Sequence, residues 1–183
     1  VDGHDISKVT LHSLRAQMGI MLQDSFIFSG TIMDNIRYGR LDATEEEISH
    51  ALELVGLTSL VTELPKGLDT VVGEGGRSLS GGQSQRVALA RAVLHRTCRV
   101  LVFDEPTAHL DIETEWELKQ RMLPLMEGKL VFFATHRLHW LSEMDEILLL
   151  EDGQVRDFGS YEALSKASSF AYLSSHEKEG GDV

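Results

Sequence analysis

RVLVFDEPTAHLD, residues 99–111, is the stretch that decides the fold. An apolar run, residues 100–103, leads directly into two acids, Asp104 and Glu105. A continuous apolar run of this length is typical of a strand buried on both faces of a parallel sheet. Carboxylates at the end of such a strand are costly unless they bind a cation, take part in chemistry or cap the following helix. Without further context, the capping and chemical interpretations are equally good.

Two further apolar runs have the same form. Residues 18–22 end at Gln23, and residues 130–135 end at His136. Between the first and second runs the chain is polar with helical spacing, and Thr44 followed by three glutamates has the form of a helix start. This pattern indicates a helical lobe inserted into a sheet domain. We therefore predict an α/β fold whose ligands bind at the carboxyl ends of the parallel strands.

The last third of the chain contains a predicted β-hairpin and a predicted helix. Residues 146–158 place the turn pair Asp152-Gly153 between two apolar segments, which is the pattern of a hairpin. A helix is predicted over residues 161–173, and the polar tail, residues 174–183, is expected to be disordered.

Composition narrows the classes of function. The 183 residues include 17 Lys and Arg against 29 Asp and Glu, a net charge of −12 that disfavours nucleic acid as a partner. The single cysteine, Cys98, fits a reducing compartment. No apolar run approaches the roughly 20 residues of a membrane-spanning helix. The chain opens on Val1 without the pattern of a secretory signal, so we interpret it as beginning partway through a domain.

A second motif lies upstream of the two acids. LSGGQ, residues 79–83, precedes a helical pattern that extends to about residue 95. Backbone N–H groups at the start of this helix could bind an anion such as a terminal phosphate. Taken alone, Ser80 and the two glycines are better explained as a simple helix N-cap with a flexible turn.

The order and spacing of LSGGQ, the Asp104-Glu105 strand, PTAHLD at residues 106–111 and THR at residues 135–137 resemble the ATP-binding cassette family. The resemblance covers nearly the whole chain. It implies part of a P-loop NTPase (RecA-like) parallel-sheet core, residues 1–24 and 98–183, with an inserted helical subdomain, residues 25–97. It also implies ATP and Mg²⁺ as ligands.

The family resemblance implies a role for each motif residue. Asp104 would bind Mg²⁺ together with Gln23, and Glu105 would be the catalytic base for the attacking water. His136 would be the switch histidine near the terminal phosphate. The signature loop would be Ser80, Gly81, Gly82 and Gln83, which would contact ATP. Asp111 would belong to the loop that couples two subunits.

Two segments resemble the exporter branch of the family, namely residues 28–36 and residues 72–76. This implies an upstream transmembrane domain, a second nucleotide-binding domain as partner and a location on the cytoplasmic face of the inner membrane. PTAHLD and the segment from Thr135 to Trp140 further resemble bacterial exporters of cysteine and glutathione.

One expected motif is absent, because no G-x-x-x-x-G-K-[ST] occurs in the sequence. That loop supplies backbone N–H groups, a lysine and a hydroxyl to the phosphates and Mg²⁺. We therefore expect this chain alone to be inactive. Two alternatives stay open. One is a soluble family member acting in DNA repair or on ribosomes, and the other is a half-cassette that binds partners without hydrolysing ATP.

Overall fold

The computed structural model describes Gly3 and residues 5–23, 26–94 and 98–166. The chain divides into two compact units, Val1–Ala134 and Thr135–Val183. The first unit contains helices α1 to α6 and strands β1 to β5: α1 (Leu11–Arg15), β1 (Met18–Met21), β2 (Gly30–Thr31), α2 (Ile32–Arg37), α3 (Glu45–Leu54), α4 (Thr58–Glu63), β3 (Val71–Val72), α5 (Gly81–Val93), β4 (Val100–Asp104), α6 (Ile112–Met126) and β5 (Leu130–Ala134). Short 3-10 turns span Ile6–Lys8 and Gly67–Asp69.

The three predicted strands form one parallel sheet in the order β1-β4-β5. Met21 lies opposite Phe103, and Asp104 lies opposite Ala134, so the three carboxyl ends meet at one edge. This confirms the predicted α/β class. The short strands β2 and β3 pair separately and antiparallel.

The predicted burial on both faces is wrong for the residues that the structure describes. Leu101 and Phe103 are buried on one face, whereas Ile20 and Phe132 on the other are 46% and 57% exposed. Helix α5 packs on the buried face so closely that a Cβ on Gly19 would lie 2.6 Å from the Ala92 carbonyl oxygen. A continuous apolar run lacks the alternation of apolar and polar residues that would show which face of the sheet packs against a helix.

The helical segment between β1 and β4 follows the sequence signals closely. Helix α3 begins after the N-cap Thr44, and Glu47 completes the capping box, as the sequence indicates. The hydrogen bond from Arg40 and the backbone N–H of Thr44 lower the pKa of Glu47 to about 2. Ile48, Ala51 and Leu52 face the core. Helix α5 begins after the N-cap Ser80 and ends at Val93, and residue 95 lies outside the described residues.

Hydrogen bonds from Asn35 and Arg91 hold the loop that precedes α2, residues 26–31. The buried Asn35 amide accepts from Phe28 N (2.8 Å) and donates to the carbonyl oxygens of Phe28 and Thr31 (both 2.9 Å). Arg91 of α5 donates to the carbonyl oxygens of Asn35 and Phe26, and its guanidinium lies 5.0 Å from the Phe28 ring centroid. Burial lowers the pKa of Arg91. The loop is therefore held from α2 and α5 together.

We expect Asn35→Ala to lower the free energy of unfolding by about 3 kcal/mol, because it removes three hydrogen bonds that the buried Asn35 amide makes with the loop. Thermal and denaturant unfolding of the full-length protein measure this. The exposed Ser59→Ala on α4 is the control and should change stability by less than about 0.5 kcal/mol. Equal stability of both variants would contradict the role assigned to Asn35.

The second unit begins with a 3-10 turn, Leu138–Glu143, in which Trp140 is buried. Strands β6 (Ile147–Glu151) and β7 (Gln154–Gly159) form an antiparallel hairpin, which confirms the prediction. Asp152 and Gly153 both have positive φ (50° and 74°), as a tight hairpin turn of this type requires.

Helix α7 (Tyr161–Leu164) starts where the sequence indicates but ends before residue 166. Residues 165 and 166 form a turn, so the prediction of helix is wrong for them. Residues 167–173 of the predicted helix and the predicted disordered tail lie outside the described residues. In the part of the chain that the structure describes, no helix combines the length and the apolar character needed to cross a bilayer.

Candidate active site

The two acids lie at the carboxyl end of β4. Asp104 is its last residue, and Glu105 follows with φ of +48°, in the left-handed region that glutamate rarely adopts. The Glu105 N–H donates to the Ala134 carbonyl oxygen at 2.9 Å, which continues the pairing with β5 past the strand end. Such a conformation costs about 1–3 kcal/mol and persists only where the surroundings hold it. The chain turns sharply at Glu105 and leaves the sheet.

The loop that follows, residues 105–111, is held from two helices. Gln85 of α5 donates from Nε2 to the Glu105 carbonyl oxygen (2.8 Å) and accepts at Oε1 from the His109 N–H (3.0 Å). The buried Thr107 hydroxyl donates to Glu115 of α6. This loop, which we call the acid loop, is therefore fixed through its backbone and through a buried side chain.

The LSGGQ segment starts helix α5 with a complete capping box. The Gln83 N–H donates to Ser80 Oγ (3.2 Å), and the Ser80 N–H donates to Gln83 Oε1 (3.0 Å). Gly81 and Gly82 pack beside His109 of the acid loop. The capping interpretation of Ser80 is thus correct. Because a cap leaves other N–H groups of the first turn available, the anion-binding role of residues 80–83 stays a prediction.

Asp111 ends the acid loop and caps helix α6. Its carboxylate accepts from the Thr114 N–H (2.9 Å) and the Thr114 hydroxyl (2.8 Å), and these hydrogen bonds lower the pKa of Asp111. Arg86 of α5 donates to the carbonyl oxygens of Gly82 (3.3 Å) and Gly56 (2.8 Å). Burial lowers the pKa of Arg86, and the charge of Asp111 opposes that shift.

Gln23 and His136 follow the other two strands. Gln23 is exposed just beyond β1, the neighbour of β4, so it lies at the same sheet edge as Asp104. His136 is exposed and belongs to the second unit, Thr135–Val183. Among the predicted residues, the first unit therefore brings Gly81 and Gly82 against the acid loop and places Gln23, Asp104 and Glu105 at one edge. The catalytic and binding roles of all of them stay predictions.

The donor set suits Mg²⁺ in the presence of a nucleotide. Asp104 and Gln23 carry the carboxylate and amide oxygens that Mg²⁺ prefers, and Mg²⁺ commonly completes its shell with water and phosphate oxygens. Within the described ranges no three His, Cys, Asp or Glu side chains are placed to hold a metal by themselves. The site fits an ion that is shared with phosphates.

Three polar residues buried at the acid loop had no predicted role: Gln85, Thr107 and Glu115. Gln85 carries a usable signal, because it is a polar residue on the apolar stripe that Ala88 and Leu89 continue. Buried polar side chains of this kind are almost always hydrogen-bonded, so their partners identify what they hold.

Comparisons with known proteins identify the family of the chain. The sequence model of the ABC transporter family matches residues 1–108. The chain is 54% identical over 142 residues to the glutathione/L-cysteine transport system ATP-binding/permease protein CydC of Bacillus subtilis, covering 78% of this chain and 25% of that protein. It is 42% identical over 174 residues to the mitochondrial iron-sulfur clusters transporter ATM1 of Debaryomyces hansenii, covering 94% and 25%.

The chain also matches a solved structure of an ABC exporter. The ATP-bound structure of a bacterial Atm1-family ABC exporter matches with a TM-score of 0.85 and 38% identity, over 96% of this chain and 31% of that one. The chain thus spans between a quarter and a third of the length of these relatives. Its fold is that of the P-loop NTPase domain of such exporters. The chain belongs to the ABC transporter family, whose ATP-binding domains are ATPases.

Proposed function

We propose that this chain is part of the ATP-hydrolysing domain of a membrane exporter, and that it works at the cytoplasmic face of the inner membrane, coupled to a transmembrane domain. The observation that carries the proposal is the acid pair at the strand end, with Glu105 held in a left-handed conformation beside the LSGGQ helix. One relative is an ATP-binding/permease protein of a transport system, and the matching solved structure is an ABC exporter with ATP bound. Both support a membrane partner over a soluble ATPase.

In the proposed mechanism, Asp104 and Gln23 would hold Mg²⁺, which would supply positive charge to neutralise the phosphates. Glu105 accepts a proton from the attacking water through its carboxylate. His136 contacts the terminal phosphate. Within the first unit, the residues of this proposal lie at the carboxyl ends of β1 and β4: Gln23, Asp104 and Glu105.

The other side of each ATP would come from a second domain. Ser80, Gly81, Gly82 and Gln83 present the start of α5 to the phosphates of an ATP held by the partner, and Asp111 contacts the partner across the pair. The subdivision into a core, residues 1–24 and 98–183, and a helical subdomain, residues 25–97, is part of the same proposal. Closure of the pair on ATP would be relayed through the Gln23 region to membrane helices.

The resemblance to the glutathione/L-cysteine system supports small thiols as the exported class. The test is ATP-dependent accumulation of labelled glutathione or cysteine in inverted vesicles that contain the full-length protein, with Mg²⁺-dependent ATP hydrolysis measured in parallel. We expect both. Hydrolysis without thiol accumulation would contradict the substrate class alone, and absence of Mg²⁺-dependent hydrolysis would contradict the motor function.

We further expect the 183-residue chain on its own to bind ATP weakly or not at all, because it contains no loop with the G-x-x-x-x-G-K-[ST] pattern. Isothermal titration calorimetry with and without Mg²⁺ measures this. The full-length protein is the control and should bind. Tight, Mg²⁺-dependent binding by the chain alone would show that other residues supply the phosphate contacts.

A further inference from the structure

Gln85 joins two parts of the proposed site that are distant in sequence. Its side chain is 1% exposed and lies in the second turn of α5, five residues after Ser80. The same amide group donates to the Glu105 carbonyl oxygen (2.8 Å) and accepts from the His109 N–H (3.0 Å). These partners are 20 and 24 residues away along the chain. One side chain of the LSGGQ helix therefore spans the acid loop.

Both partners of Gln85 are backbone atoms, so its amide group restrains the path of the backbone in the acid loop. A hydrogen bond to the carbonyl oxygen of Glu105 restrains the peptide that sets the direction of the Glu105 side chain. That residue has a φ of +48°, a conformation that relaxes unless neighbouring groups hold it. The N–H of His109 restrains the other half of the loop. Gln85 thus limits how the acid loop can move relative to α5.

Two backbone hydrogen bonds also hold Glu105: the Ala108 N–H donates to its carbonyl oxygen (3.3 Å), and its own N–H donates to the Ala134 carbonyl oxygen (2.9 Å). The side-chain contacts of the loop to α6 hold other parts of it. Thr107 and Asp111 bind the loop to α6 through Glu115 and Thr114. Arg86, the next residue of α5, donates to Gly82 and Gly56 and reaches the loop through the charge of Asp111. Gln85 adds a side-chain contact from α5 to the peptide of Glu105 itself, and so it helps to restrain the position of the proposed base.

We propose that Gln85 is a positioning residue for ATP hydrolysis, which fixes Glu105 and the acid loop relative to the start of α5. This rests on the proposed function, because it takes Glu105 as the base. In the paired arrangement the start of α5 and Glu105 of one chain serve different ATP molecules. Gln85 is then a short, buried connection between the two sites within one chain.

The test uses the full-length protein with Gln85→Met, which keeps the length and volume of the side chain but removes both hydrogen bonds. We expect kcat for ATP hydrolysis to fall about 10-fold while KM for ATP changes less than about twofold, because a misplaced base affects the transition state more than ATP binding. Gln85→Glu keeps an acceptor for His109 and loses the donor to Glu105. It should lower kcat by a similar factor.

Combination with Glu105→Gln separates positioning from a general structural role. If Gln85 acts through Glu105, Gln85→Met should cause no further loss of rate in the Glu105→Gln background. Ser84→Ala, the neighbouring change on α5, is the matched control and should keep the wild-type kcat. Residue 84 is half-buried, and its backbone N–H bonds within the helix.

Several results would overturn the proposal. The first is an unchanged kcat in folded Gln85→Met, and the second is a further 10-fold loss of kcat when Gln85→Met is added to Glu105→Gln. The third is a rise in KM for ATP that accounts for the whole loss of rate. The fourth is failure of both Gln85 variants to fold, because Gln85 would then have a structural role. If Glu105→Gln itself hydrolyses ATP at the wild-type rate, the proposed function fails instead. The two failures are therefore distinguishable.

Discussion

Glu105→Gln in the full-length protein is expected to keep ATP binding and to lose at least about 100-fold in ATP turnover, the typical contribution of a general base. The amide preserves the size of the side chain but cannot accept the proton of the attacking water. The backbone contacts at residue 105, to Ala134 and Gln85, do not involve the carboxylate and should persist. The loss is therefore expected in kcat and not in folding.

Steady-state hydrolysis and equilibrium binding of a labelled nucleotide, measured on the same preparation, test this result. The matched control is Glu127→Gln, an exposed glutamate just after α6 that should keep the wild-type rate. An unchanged rate for Glu105→Gln would remove Glu105 from the mechanism. Loss of nucleotide binding along with the rate would indicate that the carboxylate holds the ligand and does not activate water.

Gly82→Ala is expected to destabilise the protein and to lower turnover by about 10-fold or more, because residue 82 packs directly against the acid loop. A Cβ there would lie 2.9 Å from the His109 carbonyl oxygen and 3.2 Å from Leu110 Cδ2. The backbone oxygen cannot move without disturbing the His109 N–H that Gln85 holds. The loop must shift, and a shift of about 1 Å at a catalytic site can cost a large part of the rate.

The neighbouring Gly81→Ala gives the comparison, measured by thermal unfolding. Its Cβ would meet the His109 ring at 3.4 Å, an ordinary contact with a side chain. Replacement of glycine by alanine in a helix stabilises by up to about 1 kcal/mol. We therefore expect Gly81→Ala to be neutral or stabilising and Gly82→Ala to be destabilising. Equal shifts of the melting temperature would contradict the tight contact at Gly82.

Local signals in the sequence predicted most of the secondary structure. The apolar runs became β1, β4 and β5, because a strand needs only a few consecutive residues that favour burial. Thr44 and Ser80 became N-caps, because a side-chain oxygen that bonds to a backbone N–H three residues later is a local interaction. Asp152-Gly153 became the hairpin turn for the same reason.

The candidate site was predicted in part. Asp104 and Glu105 stand at the strand end as expected, and Gln23 follows the neighbouring strand. The left-handed conformation of Glu105 could not be predicted from its residue type, because glutamate has no preference for positive φ. It arises from the contacts that the surrounding structure makes with its peptide.

The sequence by itself determined the class of fold, the caps, the hairpin and the identity of the acids, since each depends on residues that are neighbours in the chain. Only the tertiary structure decided that α5 covers one face of the sheet, that Gln85 reaches Glu105 and His109, and that Thr107 pairs with Glu115. Hydrogen bonds in the interior form between groups that folding brings together. Their partners therefore depend on the packing of helices against the sheet, which no single segment specifies.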